Sequence, residues 1–144
     1  MKLYTIGFTK KDAKTFFGLL IKNNVKTIID IRLNNHSQLA GFTKGNDLAY
    51  FLEKTGNIGY HYLIQAAPEE ALLKKWQKNE ISWPEYETSY RQMLEKRNLI
   101  DKIDKRLLEN GCLLCSEPTP EQCHRRLFAE YLKERVSGLE IVHI

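Results

Sequence analysis

The N-terminal part of the sequence predicts a strand, a helix and a second strand in that order. Residues 3–7 form an apolar run that ends at a glycine, and residues 25–31 form another that is apolar on both faces until Asp30. The apolar residues between these runs have the spacing of a helix that packs on a sheet. They are Ala13, Phe16, Phe17, Leu20 and Ile21. This order defines a βαβ unit, which requires two parallel strands joined by a right-handed crossover.

The rest of the chain continues the alternation of strands and helices. Three more strands are predicted, at residues 58–63, 112–115 and 139–144. Two or three helices are predicted within residues 68–110. We therefore expect an α/β fold, a three-layer sandwich with a mostly parallel, Rossmann-like sheet of about five strands. The length predicts a single α/β domain over residues 1–144, because a chain this short does not make two well-packed domains.

Helix ends are predicted from capping and breaking residues. Thr9, Asn46 and Thr119 each stand where an N-cap is expected, and Pro120 suits the first position of the last helix. Gly111 is predicted to end the helix before the fourth strand. The cap at Thr119 places the Cys-His-Arg sequence that follows in the first helical turn or just past it.

Composition predicts a cytoplasmic globular protein with no membrane partner. A hydrophobic content of 42% and a charged content of 28% are typical of soluble domains. No apolar run approaches the roughly 20 residues that cross a bilayer, and the N-terminal apolar segment is too short for a signal peptide. The three cysteines are an odd number, which argues against a secreted disulfide framework and for a reducing compartment.

The net charge of +4 is concentrated in the first half of the chain. Residues 1–67 carry nine lysines or arginines against four acidic residues, whereas residues 111–144 carry four against five. This excess favours an anionic small molecule or nucleic acid as partner, although it is far weaker than in a dedicated nucleic-acid binder. A solvated lysine-rich face gives the same distribution of charge.

Residues 112–126 hold the highest density of reactive side chains in the sequence. They include Cys115, Glu117, Cys123, His124 and Arg125. In parallel sheets, ligands bind beyond the carboxyl ends of the strands. We therefore expect this segment to meet Asp30 and Arg32, which stand at the end of the second strand, at one edge of the sheet.

Three of these residues are candidate catalytic groups. Cys115 can act as a nucleophile if an adjacent arginine or a helix N-terminus lowers the pKa of its thiol. Glu117 and His124 are candidate general acids or bases. The alternative for Cys115 is a structural role, because a thiol on an apolar strand also packs as a small hydrophobic group.

Four residues are candidate substrate contacts. Arg32 and Arg125 can together bind a phosphate or a carboxylate, and Thr9 and His36 lie in loops at the same predicted edge. Each arginine can instead brace the fold by pairing with an acidic residue at a strand end, because buried acids need partners.

No metal and no cofactor are predicted. Cys115, Cys123 and His124 offer three suitable donor atoms. However, adjacent helical residues diverge by about 100°, so Cys123 and His124 are not expected to share one ion. The Cys-x-x-Cys pair that is typical of structural zinc is missing from the sequence.

Five short motifs are spread along the chain: Thr5-Ile6-Gly7, Asp30-Ile31-Arg32, Gly59-Tyr60, Leu114-Cys115-Ser116-Glu117 and Cys123-His124-Arg125. Together they resemble the motifs of the domain of unknown function 488 family. The resemblance extends over essentially the whole chain, with Phe8 where the family usually has a histidine. The segment after Arg32 also lacks the proline that is usual there. The resemblance implies an α/β fold and these motif positions, and it implies no reaction because the family is functionally uncharacterised.

Three functional hypotheses remain open on the sequence alone. The leading one is a small enzyme that acts on an anionic substrate, which would be phosphate-bearing, nucleotide-like or derived from nucleic acid. The alternative is a non-catalytic or regulatory module that binds phosphate or nucleic acid through the same arginines. The third is a thiol redox sensor, which requires Cys115 and Cys123 within disulfide reach of each other.

Overall fold

The strands of the described residues form one sheet in which every pairing is parallel. The computed structural model describes residues 1–35, 41–117 and 120–144. The strands are β1 (Lys2–Gly7), β2 (Thr27–Asp30), β3 (Gly59–Tyr62), β4 (Gly111–Cys115) and β5 (Glu140–His143). Their order in the sheet is β3-β2-β4-β1-β5. The predicted α/β fold with a parallel sheet is confirmed.

Helices cover both faces of this sheet. They are α1 (Ala13–Lys22), α2 (Gly45–Gly56), α3 (Glu70–Gln77), α4 (Trp83–Lys96), α5 (Leu99–Lys102) and α6 (His124–Arg135). Side chains alternate between the two faces along each strand. Leu113 of β4 packs with α4 and α6, whereas Cys112 and Leu114 pack with α1 and α2. The sheet is therefore the middle of three layers. No helix in the described ranges is long and apolar enough to cross a membrane.

The predicted cap at Thr9 is wrong. Helix α1 is capped by Asp12, whose Oδ1 accepts a hydrogen bond from the Thr15 amide at 2.8 Å. The Thr9 amide donates instead to the Ser116 carbonyl at 3.1 Å. Thr9 therefore ties the loop after β1 to the segment after β4, a contact between residues far apart in the sequence.

Two further helix ends differ from the prediction. Helix α2 has Lys44 as its N-cap and begins at Gly45, before Asn46. Gly111 is the first residue of β4 rather than the end of a helix. A Cβ atom on Gly111 would overlap the Leu107 carbonyl, so the close turn before β4 is what requires a glycine there.

Helix α6 begins later than the sequence predicts. Its N-cap is Cys123, and its first residue is His124; the predicted cap Thr119 lies outside the described residues. Cys123 therefore has an extended backbone, with φ −139° and ψ 140°. Because Cys123 is not helical, the divergence of about 100° between adjacent helical side chains does not apply to Cys123 and His124. That divergence was the reason for not expecting these two residues to share one ion.

Candidate functional site

The carboxyl ends of β1, β2 and β4 meet at one edge of the sheet. Gly7 pairs with Cys115, and Asp30 pairs with Leu114, so the end of β4 lies between the other two. The chain after β4 then passes over Gly7, where a Cβ atom would overlap the Glu117 carbonyl. The absence of a side chain at Gly7 lets this segment lie directly against β1.

A buried ion pair joins Asp30 to Arg32. The Nε of Arg32 donates to Oδ1 at 2.9 Å and its Nη2 donates to Oδ2 at 2.8 Å. The same Nη2 donates to the Thr43 carbonyl at 2.7 Å. The Phe8 ring centroid lies 5.3 Å from the guanidinium carbon, within cation–π range. Arg32 is thus braced by the acid at its own strand end, and Phe8 packs against the cation.

Tyr60 completes the surroundings of Asp30, and the sequence did not single it out as a site residue. Its hydroxyl donates to Asp30 Oδ2 at 2.6 Å and accepts from Asn35 Nδ2 at 3.2 Å. Burial, together with the hydrogen bond to Asp30, raises the pKa of Tyr60 to about 12. Only the strand order, which places β3 beside β2, brings this tyrosine to the site.

One nitrogen of Arg32 has no acceptor among the described residues. Nη1 is buried and makes no hydrogen bond to any of them. Arg32 lines a cavity of about 280 Å³ at the carboxyl edge, together with Asn34, Cys115, Cys123 and His124. The cavity therefore borders a guanidinium group whose hydrogen-bonding capacity is not filled by this part of the chain.

Aromatic side chains from α3 and α4 line the same cavity. They are Trp76, Trp83 and Tyr86. The ring centroids lie 5.3 Å apart for Trp76 and Trp83 and 5.0 Å apart for Trp83 and Tyr86. Both tryptophans are half-buried, whereas Tyr86 belongs to the core. The aromatic stripe of α4 therefore contributes to the core and to the cavity.

Arg125 is fully buried and makes no ion pair with the carboxylates of the described residues. Its Nη1 donates to Cys115 Sγ at 3.3 Å and to the Glu117 carbonyl, and its Nε donates to Thr5 Oγ1 at 3.2 Å. Burial lowers the pKa of Arg125. Arg125 does not line the cavity that Arg32 borders, so the two arginines do not face it together.

The structure brings Cys115, Cys123 and His124 into one cluster. The two Sγ atoms are in direct contact, and a nitrogen of His124 lies within 4.8 Å of both. Both cysteines are buried. Cys115 and Cys123 are therefore placed as a disulfide pair, within the reach that the redox hypothesis requires.

The His124 imidazole is oriented by the backbone of β2. Its Nε2 lies 2.9 Å from the Ile31 carbonyl. A carbonyl only accepts, so Nε2 carries the proton and Nδ1 keeps its lone pair. Burial lowers the pKa of His124 to about 4, and the charge of Arg125 also lowers it. The ring is therefore neutral at pH 7.

Three predicted site residues have different surroundings. Glu117 lines the cavity, but its side chain is exposed. Thr9 contributes a backbone contact to Ser116 and does not line the cavity. His36 lies outside the described residues. The catalytic or binding roles of these residues stay predictions.

The fold and the edge geometry define a class of α/β protein in which a buried aspartate–arginine pair and a thiol–imidazole cluster border one cavity. The family model described as Domain of unknown function DUF488 matches residues 12–132 of the chain. The chain belongs to this family, so the predicted family membership is confirmed. No curated protein and no solved structure gives a significant match.

Proposed function

We propose that this protein is an enzyme that acts on an anionic, phosphate-bearing substrate bound in the cavity at the carboxyl edge of the sheet. The observation that carries this proposal is the buried Nη1 of Arg32, which lacks an acceptor in the described ranges. A buried donor without a partner costs about 1–3 kcal/mol. A phosphate oxygen that reached Nη1 from the cavity would remove that cost, and arginine is well suited to bind it.

The charge near the cavity favours an anion over a neutral acceptor. The charge of Arg32 is balanced by Asp30, but the buried charge of Arg125 has no carboxylate partner in the described part of the chain. Arg125 donates to Cys115, which lines the cavity, so an anionic ligand there would offset the charge of this arginine.

The reacting groups in this proposal are the thiols and the imidazole that border the cavity. Arg125 Nη1 donates to Cys115 Sγ at 3.3 Å, which is the kind of contact that accompanies reactive cysteines. His124 is neutral and its Nδ1 can accept a proton. A thiolate in this position could attack the phosphorus of a phosphate ester, forming an S–P bond as the P–O ester bond breaks and the alcohol leaves with a proton. It could instead bind a metal ion, and metal titration distinguishes the two.

A non-catalytic binding module is the second candidate function. It is favoured by the same observation, because the Nη1 of Arg32 requires only a ligand oxygen and no reaction. The two candidates therefore share the ligand class and differ in turnover.

Arg32→Lys is expected to abolish phosphate binding while the protein stays folded. Lysine keeps a positive charge beside Asp30 but cannot supply the planar guanidinium donors. In thermal unfolding, inorganic phosphate should raise the midpoint of the wild type by mass action on the folded state. Sodium chloride at equal ionic strength should not. In the variant, phosphate should have no more effect than chloride.

Arg106→Lys is the matched control for this experiment. Arg106 binds Asp104 with the same spacing, through Nε to Oδ1 at 3.1 Å and Nη2 to Oδ2 at 2.9 Å, but Arg106 is exposed. This variant should keep the full effect of phosphate. If Arg32→Lys also keeps it, Arg32 is not the anion contact and the proposal fails.

Turnover separates the enzyme from the binding module. The wild type would be incubated with phosphate monoesters, mononucleotides and short oligonucleotides, and products would be separated by chromatography. Cys115→Ser is expected to lose turnover and to keep stabilisation by phosphate. Binding of these compounds without any turnover by the wild type would favour the non-catalytic module.

A further inference from the structure

Cys115, Cys123 and His124 offer three donor atoms that lie within 4.8 Å of one another. They come from two elements, the last residue of β4 and the start of α6. Two thiols and one imidazole are the donor types that zinc and similar ions prefer. All three residues line the cavity that Arg32 borders, so an ion held by them would face the proposed substrate.

The distance between the two backbones suits a bridging ion better than a disulfide. The Cα atoms of Cys115 and Cys123 are 7.6 Å apart. Disulfides usually join Cα atoms about 4.4–6.8 Å apart, and a larger separation requires backbone movement. A metal ion adds two bonds of about 2.3 Å between the sulfurs in place of one of about 2.05 Å. The two sulfurs are in direct contact in this structure, so an ion would enter as they separate, and the wide Cα separation accommodates the longer bridge.

The surroundings of the three donors match those of a metal site. The Nε2–H of His124 donates to the Ile31 carbonyl at 2.9 Å, which leaves the Nδ1 lone pair available for an ion. Histidine ligands usually hold their second nitrogen in this way. Arg125 Nη1 lies 3.3 Å from Cys115 Sγ and 3.9 Å from Cys123 Sγ, where it would stabilise thiolates that hold an ion.

We propose that Cys115, Cys123 and His124 form a three-ligand site for zinc or a related divalent transition metal. Three protein ligands leave the fourth tetrahedral position for water or substrate, and the cavity provides room for it. In the metal-bound protein Cys115 is a ligand rather than a nucleophile. The inference goes beyond the proposed function, because these ligands can bind an ion with no substrate present.

The test is a titration of the full chain with Co²⁺ after reduction and removal of metal by a chelator. We expect one Co²⁺ per chain, with the ultraviolet charge-transfer bands of thiolate ligands and the visible bands of a tetrahedral ion. Zn²⁺ should displace it. Cys115→Ser and Cys123→Ser should each weaken binding more than about 100-fold, since even changes beside the ligands cost 10–100-fold.

Cys112→Ser is the control, because Cys112 is a buried free cysteine that is not one of the three donors. It should bind Co²⁺ as the wild type does. Failure of the reduced wild type to bind Co²⁺ or Zn²⁺ would overturn the proposal. Recovery of Cys115 and Cys123 as a disulfide in that case would favour the thiol redox sensor instead.

Arg32→Lys separates this proposal from the proposed function. The variant should bind Co²⁺ with wild-type affinity, because Arg32 is not one of the donors. It should still lose stabilisation by inorganic phosphate when the experiment uses metal-free protein. The proposed metal site and the proposed phosphate contact can therefore be disproved independently of each other.

Discussion

Replacing Asp30 with asparagine is expected to destabilise the protein by about 3–5 kcal/mol, because breaking a buried ion pair leaves the other charge uncompensated. Asp30 is fully buried and accepts hydrogen bonds from Arg32 and from the Tyr60 hydroxyl. An asparagine amide would turn an NH₂ group toward one of these donors. Urea denaturation should show the loss as a lower midpoint at an unchanged slope.

Asp104→Asn is the matched control for this variant. Asp104 binds Arg106 with the same two-residue spacing and the same pair of side-chain hydrogen bonds, but on the surface. No measurable loss of stability is expected, because exposed ion pairs contribute little. Equal losses in the two variants would show that burial does not set the strength of the Asp30 pair. If Asp30→Asn does not fold, Tyr60→Phe gives a milder version with an expected loss of about 0.5–1.5 kcal/mol.

Gly7→Ala is expected to cost about 3 kcal/mol or more, at or above the upper end of typical overpacking effects. The added Cβ would overlap the Glu117 carbonyl and lie 2.7 Å from Arg125 Nη1. Because the obstacle is backbone, no change of rotamer relieves it. The segment after β4 would have to move, and the thiol–imidazole cluster would move with it. Urea denaturation measures the loss of stability.

Gly18→Ala is the control for the glycine substitution. Gly18 lies within α1, and a Cβ there would meet no atom within 4 Å. Alanine favours a helix over glycine, so this variant should gain up to about 1 kcal/mol. Wild-type stability of Gly7→Ala would show that the segment after β4 does not need to lie against Gly7.

The short motifs noted in the sequence acquire physical roles once the chain is folded. Thr5 Oγ1 is shared between Arg125 Nε at 3.2 Å and His143 Nδ1 at 2.6 Å. The lack of a side chain at Gly7 lets the segment after β4 lie against β1. The Tyr60 hydroxyl donates a hydrogen bond to Asp30 of the Asp-x-Arg motif. These motifs are therefore parts of one hydrogen-bonded edge, although they are spread over most of the sequence.

The sequence by itself determined the alternation of strands and helices and the edge at which polar residues gather. Local periodicity is enough to predict the alternation of strands and helices, because the spacing of apolar residues shows which face of each element is buried. The geometry of parallel sheets is enough to predict where the polar residues gather, since the carboxyl ends of all parallel strands lie at one edge. Arg32, Cys115 and His124 could therefore be singled out from their positions in the sequence.

Only the tertiary structure decided how the residues at that edge share their partners. The strand order put Tyr60 beside Asp30, and the extended cap at Cys123 brought its thiol to Cys115 and near the His124 imidazole. The structure also gave Arg32 an acid as a partner, and it gave Arg125 the Glu117 carbonyl and Cys115 Sγ. These outcomes depend on contacts between residues far apart in the chain, which local spacing and capping patterns do not encode.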